Sequence, residues 1–258
     1  MLKIRFAPSV ALLAGWLTTA FLILPFVALL LHISWSDVWS VWAASGGSPL
    51  VTSLWSTAIS MVSIILFGTP LGWFLARGKS RVWKWLEVLL LIPLLMPPLV
   101  IGLLLVYFYG PYGGMGHLLS QMGLSATNTV LAVVLAQLYE SIPYYVFAAQ
   151  ASFSQIDEKY ERVSLSLGVS PWRTMVRVIF PLARPGLIVG FAMAFARAIG
   201  AFGAVIVVAY YPNTLPVSIW IALEEQGLPS ALPLALLLLV VALPMPLAAV
   251  LWRRVKAD

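Results

Sequence analysis

The sequence predicts an all-α, polytopic membrane protein with six crossing helices and both termini on the cytoplasmic side. Three observations predict it. The 258 residues are 62% hydrophobic and only 9% charged, against about 25% charged in an ordinary soluble domain. Six apolar runs each reach the roughly 20 residues that a crossing helix needs. Finally, of the fifteen Lys and Arg residues, all but Arg197 fall on one side of that topology. Lys3 and Arg5 precede the first run, and Arg77, Lys79, Arg81 and Lys84 follow the second. Lys159, Arg162, Arg173, Arg177 and Arg184 follow the fourth, and Arg253, Arg254 and Lys256 follow the sixth. The segments after runs one, three and five carry no Lys or Arg. Basic flanks stay on the cytoplasmic face during insertion. The net charge of +6 is thus a set of membrane flanks that also meet anionic lipid heads, and it does not point to nucleic acid. Six spans and short loops fill residues 1–258 as a single membrane domain.

The first run, about residues 10–33, follows Lys3 and Arg5 in the manner of a secretory signal. It exceeds the ~7–15 apolar residues of a signal, so an uncleaved helix is expected. Residues 34–52 place Trp35, Trp39 and Trp42 at a membrane interface. Span two covers about 54–76, and a short basic loop ends near Trp85. Span three, about 86–109, holds Pro93, Pro97 and Pro98 and should kink or break there. A glycine-rich loop, 110–128, leads to span four at about 129–153. Span five is about 183–209. Residues 210–230 are too short and polar to cross, yet include the apolar piece 215–223, so a re-entrant or interfacial hairpin is expected. Span six is about 231–252. Gly68 with Gly72, and Gly186 with Gly190, have the four-residue spacing that lets helices approach closely in lipid. Packing within the chain is the simpler reading and a subunit interface the other.

Between spans four and five, residues 154–181 form the longest and most polar cytoplasmic segment. Ser154 with Asp157 reads as a capping box, and acids crowd the following turn, where the helix dipole favours them. Gly168 is a natural stop. Ser170 and Pro171 restart a helix as cap and first residue, and Pro181 and Pro185 are expected to break the chain again. Tyr160, Val163 and Leu167 share one helical face. Such a stripe suits either a partner's groove or the lipid surface.

From Glu161 to Pro181 this segment resembles the signature loop of the permease subunits of ATP-binding-cassette importers. Gly168, Ser170, Pro171, Trp172 and Arg173 match a typical run of that loop. Val178, Phe180 and Pro181 stand for its aliphatic, leucine and proline end. Val163 and Ser164 stand where its alanine pair ends, and Glu161 lies one position early. Residues 91–102, with Pro93, Pro97, Pro98 and Gly102, are similar to span three of the molybdate, tungstate and sulfate permeases. Residues 195–204, with Arg197, Gly200, Phe202 and Gly203, are similar to their span five, except that Ala201 replaces a usual glutamate. Residues 209–212 and 225–228 look closest to the molybdate/tungstate type. The resemblance covers about residues 50–250. It implies the type I importer permease fold in a prokaryotic inner membrane, with no catalysis and no cofactor in this chain. It also implies a second copy of the permease around a central path, two ATPase subunits that use ATP on the cytoplasmic face, and an extracytoplasmic oxyanion-binding protein. Residues 154–181 would be the coupling segment, with Asp157, Tyr160, Glu161, Val163, Leu167, Gly168, Ser170, Pro171, Trp172, Arg173 and Pro181 as the coupling residues.

Arg197 falls near the middle of span five, where an arginine costs at least about 2.5–3.5 kcal/mol. Glu140 lies at the same depth in span four. Three readings follow: the two pair and lock their helices, Arg197 faces the path and attracts the anion, or it snorkels toward the inner interface. Gly200, Phe202 and Gly203 join the pair as candidate path residues. A path must bind its anion weakly enough to release it. Thr57, Ser60, Ser63, Gln137 and Ser141 are therefore candidate lining groups, although helix packing uses the same residue types.

Other chemistry is poorly supported. Residues 78–80 imitate the end of a phosphate-binding loop, but position 73 is Trp73 instead of glycine and no strand precedes it. His32 and His117 lack ligand partners at metal spacing, and neither lies at the depth that an intramembrane serine protease requires. The rival that remains is a carrier driven by an ion gradient, with Glu140 protonation coupling transport. Such carriers often show inverted repeats, and none is clear here.

Overall fold

The computed structural model describes residues 8–255, without the side chains of residues 8–11, Asp37 and 253–255. Lys3, Arg5 and Lys256 lie outside the described residues, as do the side chains of Arg253 and Arg254. Every regular element among the described residues is helical. Five helices are long and apolar enough to cross a membrane, or six when one sharply bent pair counts as a span.

The first crossing helix, α1, is Pro8–His32. It buries none of its most apolar window against the rest of the chain. A short helix, α2 (Trp35–Val41), then passes through a wide π turn, Trp42–Gly46, into α3 (Gly47–Arg77). The helical stretch therefore starts near Val38, well before the expected boundary at residue 54. Contacts with residues 233–237 accompany this extension. Trp42 Nε1 donates to the Pro233 carbonyl at 2.6 Å. Gly46 has no Cβ to hold off Leu237, whose side chain would lie 2.9 Å from it.

Span three is broken as its prolines predict. α4 (Arg81–Leu95) and α5 (Pro98–Tyr109) meet at 112°. Met96 and Pro97 are extended, and Pro98 occupies the first turn of α5, where a missing N–H costs nothing. A short helix, α6 (Gly114–Gln121), precedes α7 (Val130–Ser154). Then come α8 (Lys159–Ser166), α9 (Pro171–Thr174), a second π turn at Met175–Ile179, and α10 (Phe180–Ile199). The chain breaks at residues 200–202 and resumes as α11 (Gly203–Val208). Three further helices complete it: α12 (Leu215–Gln226), α13 (Leu228–Ala242) and α14 (Pro244–Val255).

The bundle is built around α7. A run of contacts places α3 parallel to it: Thr57 and Ser60 meet Gln137, Thr69 meets Tyr145 at 2.7 Å, and Gly72 meets Ala149. α10 runs the other way, with Gly186 against Ser152, Gly190 against Ala148, and Arg197 against Glu140. The two glycine pairs thus grip two sides of one helix, which is the packing role expected of the spacing. Their closeness brings many atoms into dispersion contact, the main attraction between helices in lipid. Around this core, α5 lies beside α11, since a Cβ on Gly102 would meet Val207 at 2.7 Å. Asn128, at φ 51°, ties the start of α7 to the end of α11, donating to the Val208 carbonyl and accepting from the Tyr210 N–H.

The stretch between spans five and six enters the bundle instead of lying flat. Leu215, Pro216 and Val217 of α12 are buried. The Leu215 N–H donates to Ser53 Oγ at 2.8 Å, and Val217 packs in a cluster with Ile101, Ala132 and Ala136. Gly227, at φ 81°, turns the chain into α13.

Replacing Gly72 with valine is expected to destabilise the protein by about 1–3 kcal/mol, the usual cost of overpacking. Its first carbon would sit 2.7 Å from the Ala149 Cβ. Gly47→Ala, with nothing within 4 Å, should leave thermal stability in detergent unchanged.

Candidate functional site

The candidate residues fall into two groups, one inside the bundle and one at its basic end. The inner group forms where two spans break at one level. Gly203 opens α11 against Pro98, which opens α5; a Cβ on Gly203 would meet the Pro98 Cβ at 2.7 Å. Glu140 of α7 faces this junction and is 1% exposed. Its Oε1 accepts the Ala204 N–H at 3.3 Å, so the carboxylate satisfies a backbone donor that the broken span leaves free. Its Oε2 lies 2.8 Å from Arg197 Nη2, although the guanidinium is not aligned for a hydrogen bond. Glu140 therefore bridges the two halves of span five. Arg197, in the last turn of α10, also has the favourable sign for a helix C-terminus.

Arg197 is paired, yet its side chain keeps 33% exposure. Pairing and an open face thus coexist. Gly200 caps the end of α10, and Phe202 precedes α11 with its ring 5.6 Å from that of Trp220. The hydroxyl and amide candidates are mostly absorbed by packing. Thr57, Ser60 and Gln137 bond one another, and Ser63 bonds the Ile59 carbonyl. Ser141 Oγ, next to Glu140, is buried without a partner.

The second group is a helix–turn–helix on the surface. α8 ends at Gly168, whose φ of 76° suits the expected stop. Ser170 Oγ accepts the Arg173 N–H, and Pro171 opens α9, as expected. The cap before α8 differs from the expectation. Ser154 is still inside α7, and Asp157 Oδ1 accepts the Lys159 N–H at 2.8 Å. Because α7 itself runs to Ser154, that residue is not free to cap the next helix, and the cap falls to Asp157. This bond to the Lys159 N–H holds the exposed Asp157 carboxyl below the usual carboxylate range. Its stabilisation is therefore present at neutral pH and is lost only as pH falls through that lowered value.

Pro181 and Pro185 do not break the chain either. Pro181 falls in the first turn of α10, where no N–H is required, next to the π turn at 175–179, and Pro185 lies inside α10 without ending it.

Arg77, at the end of α3, anchors the segment to the bundle. Its Nε donates to Glu161 Oε1 at 3.0 Å, its Nη2 donates to the Ile156 carbonyl at 2.7 Å, and its guanidinium lies over Trp73. Ser164 and Thr174 share a buried hydroxyl bond of 2.8 Å that joins α8 to α9. Outward from this frame point Tyr160, Val163, Leu167 and Trp172, the last two 77% and 76% exposed; Arg173 is exposed beside them. The sequence reading missed the Arg77 anchor, because a basic residue after a span looks like any other flank.

Arg197→Met should leave Glu140 as an unpaired buried charge and cost about 3–5 kcal/mol of stability. Adding Glu140→Gln, which keeps an acceptor for the Ala204 N–H, should recover most of that loss in equilibrium unfolding. A double variant no more stable than Arg197→Met would show that the pair is not the cause.

Residues 68–256 match the family described as "Binding-protein-dependent transport system inner membrane component". The molybdenum transport system permease protein ModB of Mycobacterium bovis is 35% identical over 227 residues, covering 86% of each chain. The molybdate/tungstate transport system permease protein WtpB of Thermococcus kodakarensis is 34% identical over 194 residues, covering 74% of this chain and 71% of the relative. Among solved structures, a chain of a bacterial alginate ABC transporter in complex with an alginate-bound periplasmic protein superposes with a TM-score of 0.71. It does so at 17% identity over 93% of this chain and 92% of the other, so the likeness is one of fold. With the family pattern running from the middle of α3 to the end of α14, the chain belongs to the binding-protein-dependent transport system inner membrane components.

Proposed function

We propose that this chain is the transmembrane subunit of an ATP-driven oxyanion importer, for molybdate or tungstate before sulfate, in the cytoplasmic membrane of a prokaryote. The observation that carries the reading is the α8–α9 unit, a small rigid body on the membrane surface with a bare apolar face. Exposure of Leu167 and Trp172 suits docking into the groove of another protein. The chain itself catalyses nothing and holds no cofactor. ATP is used by a separate subunit, two copies of which dock at the basic end. That end is cytoplasmic by the placement of Lys and Arg. An extracytoplasmic binding protein delivers the anion at the far end, and a second copy of this chain completes the path.

The coupling follows from the contacts. Residues 154–181 receive the motion of the ATPase subunits through Tyr160, Val163, Leu167, Trp172 and Arg173. Glu161 transmits it to α3 through Arg77. Thr174 leads through the π turn into α10, and Ser164 holds α8 to it. Because α3, α7 and α10 interlock through glycine contacts, they move as one body in a two-state change. The broken levels at Pro98 and Gly203 are then where the path has room to alter. A gradient-driven carrier gains no support from the relatives in sequence, one of which is named a probable molybdenum ABC transporter permease protein.

The test is reconstitution with the ATPase subunit and binding protein. Molybdate and tungstate are expected to stimulate ATP hydrolysis and uptake more than sulfate does. Arg77→Ala should reduce uptake at least tenfold while basal ATPase activity persists. A cysteine at Leu167 should crosslink to the ATPase subunit. Uptake by this chain alone in ATP-free vesicles under a pH gradient would overturn the reading.

A further inference from the structure

A cavity of about 430 Å³ opens at the end of the bundle away from the basic flanks, between the α2 segment, α12 and α13. Its polar walls come from Ser40, Ser45, Asn213, Ser218, Gln226 and Ser230, and its apolar floor includes Leu234. No charged residue lines it among the described residues. Two features point to an occupant. Ser218 is only 8% exposed and its Oγ has no partner; a buried hydroxyl left unpaired is costly. Separately, Ser230 stands in the first turn of the fifteen-residue helix α13. There Pro229 has no N–H and the Ala231 N–H donates to the Gly227 carbonyl, which leaves the Ser230 N–H beside the cavity, and the helix dipole favours negative charge. Asn213 adds an amide with a buried, unpartnered Oδ1, and an amide can present either its oxygen or its NH₂.

We propose that this cavity is a weak binding site for a tetrahedral oxyanion, separate from Arg197 and placed where an anion enters from the far side. Neutral hydroxyl, amide and backbone donors suit the chemistry. They bind an oxyanion without the charge that would hold it, as a site on a transport route requires. Carboxylates, which would exclude an anion, are missing from the lining. The choice of tungstate or molybdate as the occupant rests on the importer reading.

The experiment uses the purified full-length chain in phospholipid-free detergent and measures tungstate binding by equilibrium dialysis. Saturable binding is expected, weakened at least tenfold by Ser218→Val and severalfold by Gln226→Leu, and unchanged by Ser120→Ala on α6. Gln226 is exposed at the end of α12, so it serves if Ser218→Val does not fold. Wild-type binding that both folded variants retain, or no binding up to millimolar tungstate, overturns the site. A lipid phosphate shares this chemistry. Displacement of tungstate by phosphatidylglycerol but not by sulfate would make a headgroup the occupant, which also overturns the proposal. The two readings fail separately. ATP-driven molybdate uptake by an importer whose permease shows no Ser218-dependent binding removes the site alone. Binding here, with no oxyanion transport by the assembled complex, removes the importer reading alone.

Discussion

A helix that stops inside hydrocarbon leaves backbone donors that lipid cannot satisfy, and every break must find its partners within the protein. Glu140 meets this requirement for span five. One oxygen takes the Ala204 N–H and the other faces the guanidinium before the break. The arrangement answers two costs together, since the open backbone supplies a donor to the buried carboxylate and the carboxylate offsets the intramembrane arginine. Without Glu140, α11 would have to unravel or rejoin α10 as a straight helix. Either change would pull Gly203 away from Pro98 and alter the broken level of span three as well. The junction therefore depends on α7 holding one residue in register.

That register is set by close contact more than by polar bonds. Gly68, Gly72, Gly186 and Gly190 admit Tyr145, Ala148, Ala149 and Ser152 of α7 at distances that a Cβ would forbid. Hydroxyl and amide pairs, such as Thr69 with Tyr145, then fix rotation about the axis. The result is a three-helix unit with little freedom to shear. A push at the α8–α9 surface cannot be absorbed locally, because Arg77 ties that surface to α3 and the π turn ties it to α10. The surface segment is thus tied to both outer helices of the three-helix unit.

The order of the spans was legible because hydropathy reports directly on the membrane as a solvent. Pro97 with Pro98 announced the break in span three because two missing donors cannot be hidden in a straight helix. The break at 200–202 was less legible. Gly200 and Gly203 are the residue types also used for close packing, and only the distant Glu140 distinguishes the two uses. The pairing of Glu140 with Arg197 was readable as a shared depth, but not the cap on α11, which needs a backbone position. Pro181 misled for a related reason: proline forbids a donor, but the first turn of α10 does not need one there. Pro185 lies inside α10 and the helix continues past it. Ser154 failed as a cap because it is the last residue of α7, and Asp157 takes the capping bond instead.

The paired state of Arg197 bears on how an anion could pass. A single unit charge about 4 Å away attracts another by about 4 kcal/mol at an effective dielectric of 20, and a dianion feels roughly twice that. Each 1.4 kcal/mol is a factor of ten in an equilibrium constant, so a bare arginine on the route would slow release by several orders of magnitude. With Glu140 at 2.8 Å, most of that attraction is cancelled at the distances an anion could reach. What remains is a dipole with its cationic side partly open. Such a group can favour entry of negative charge without trapping it. On this argument a route running past the pair would be made shallow by the same carboxylate that bridges span five.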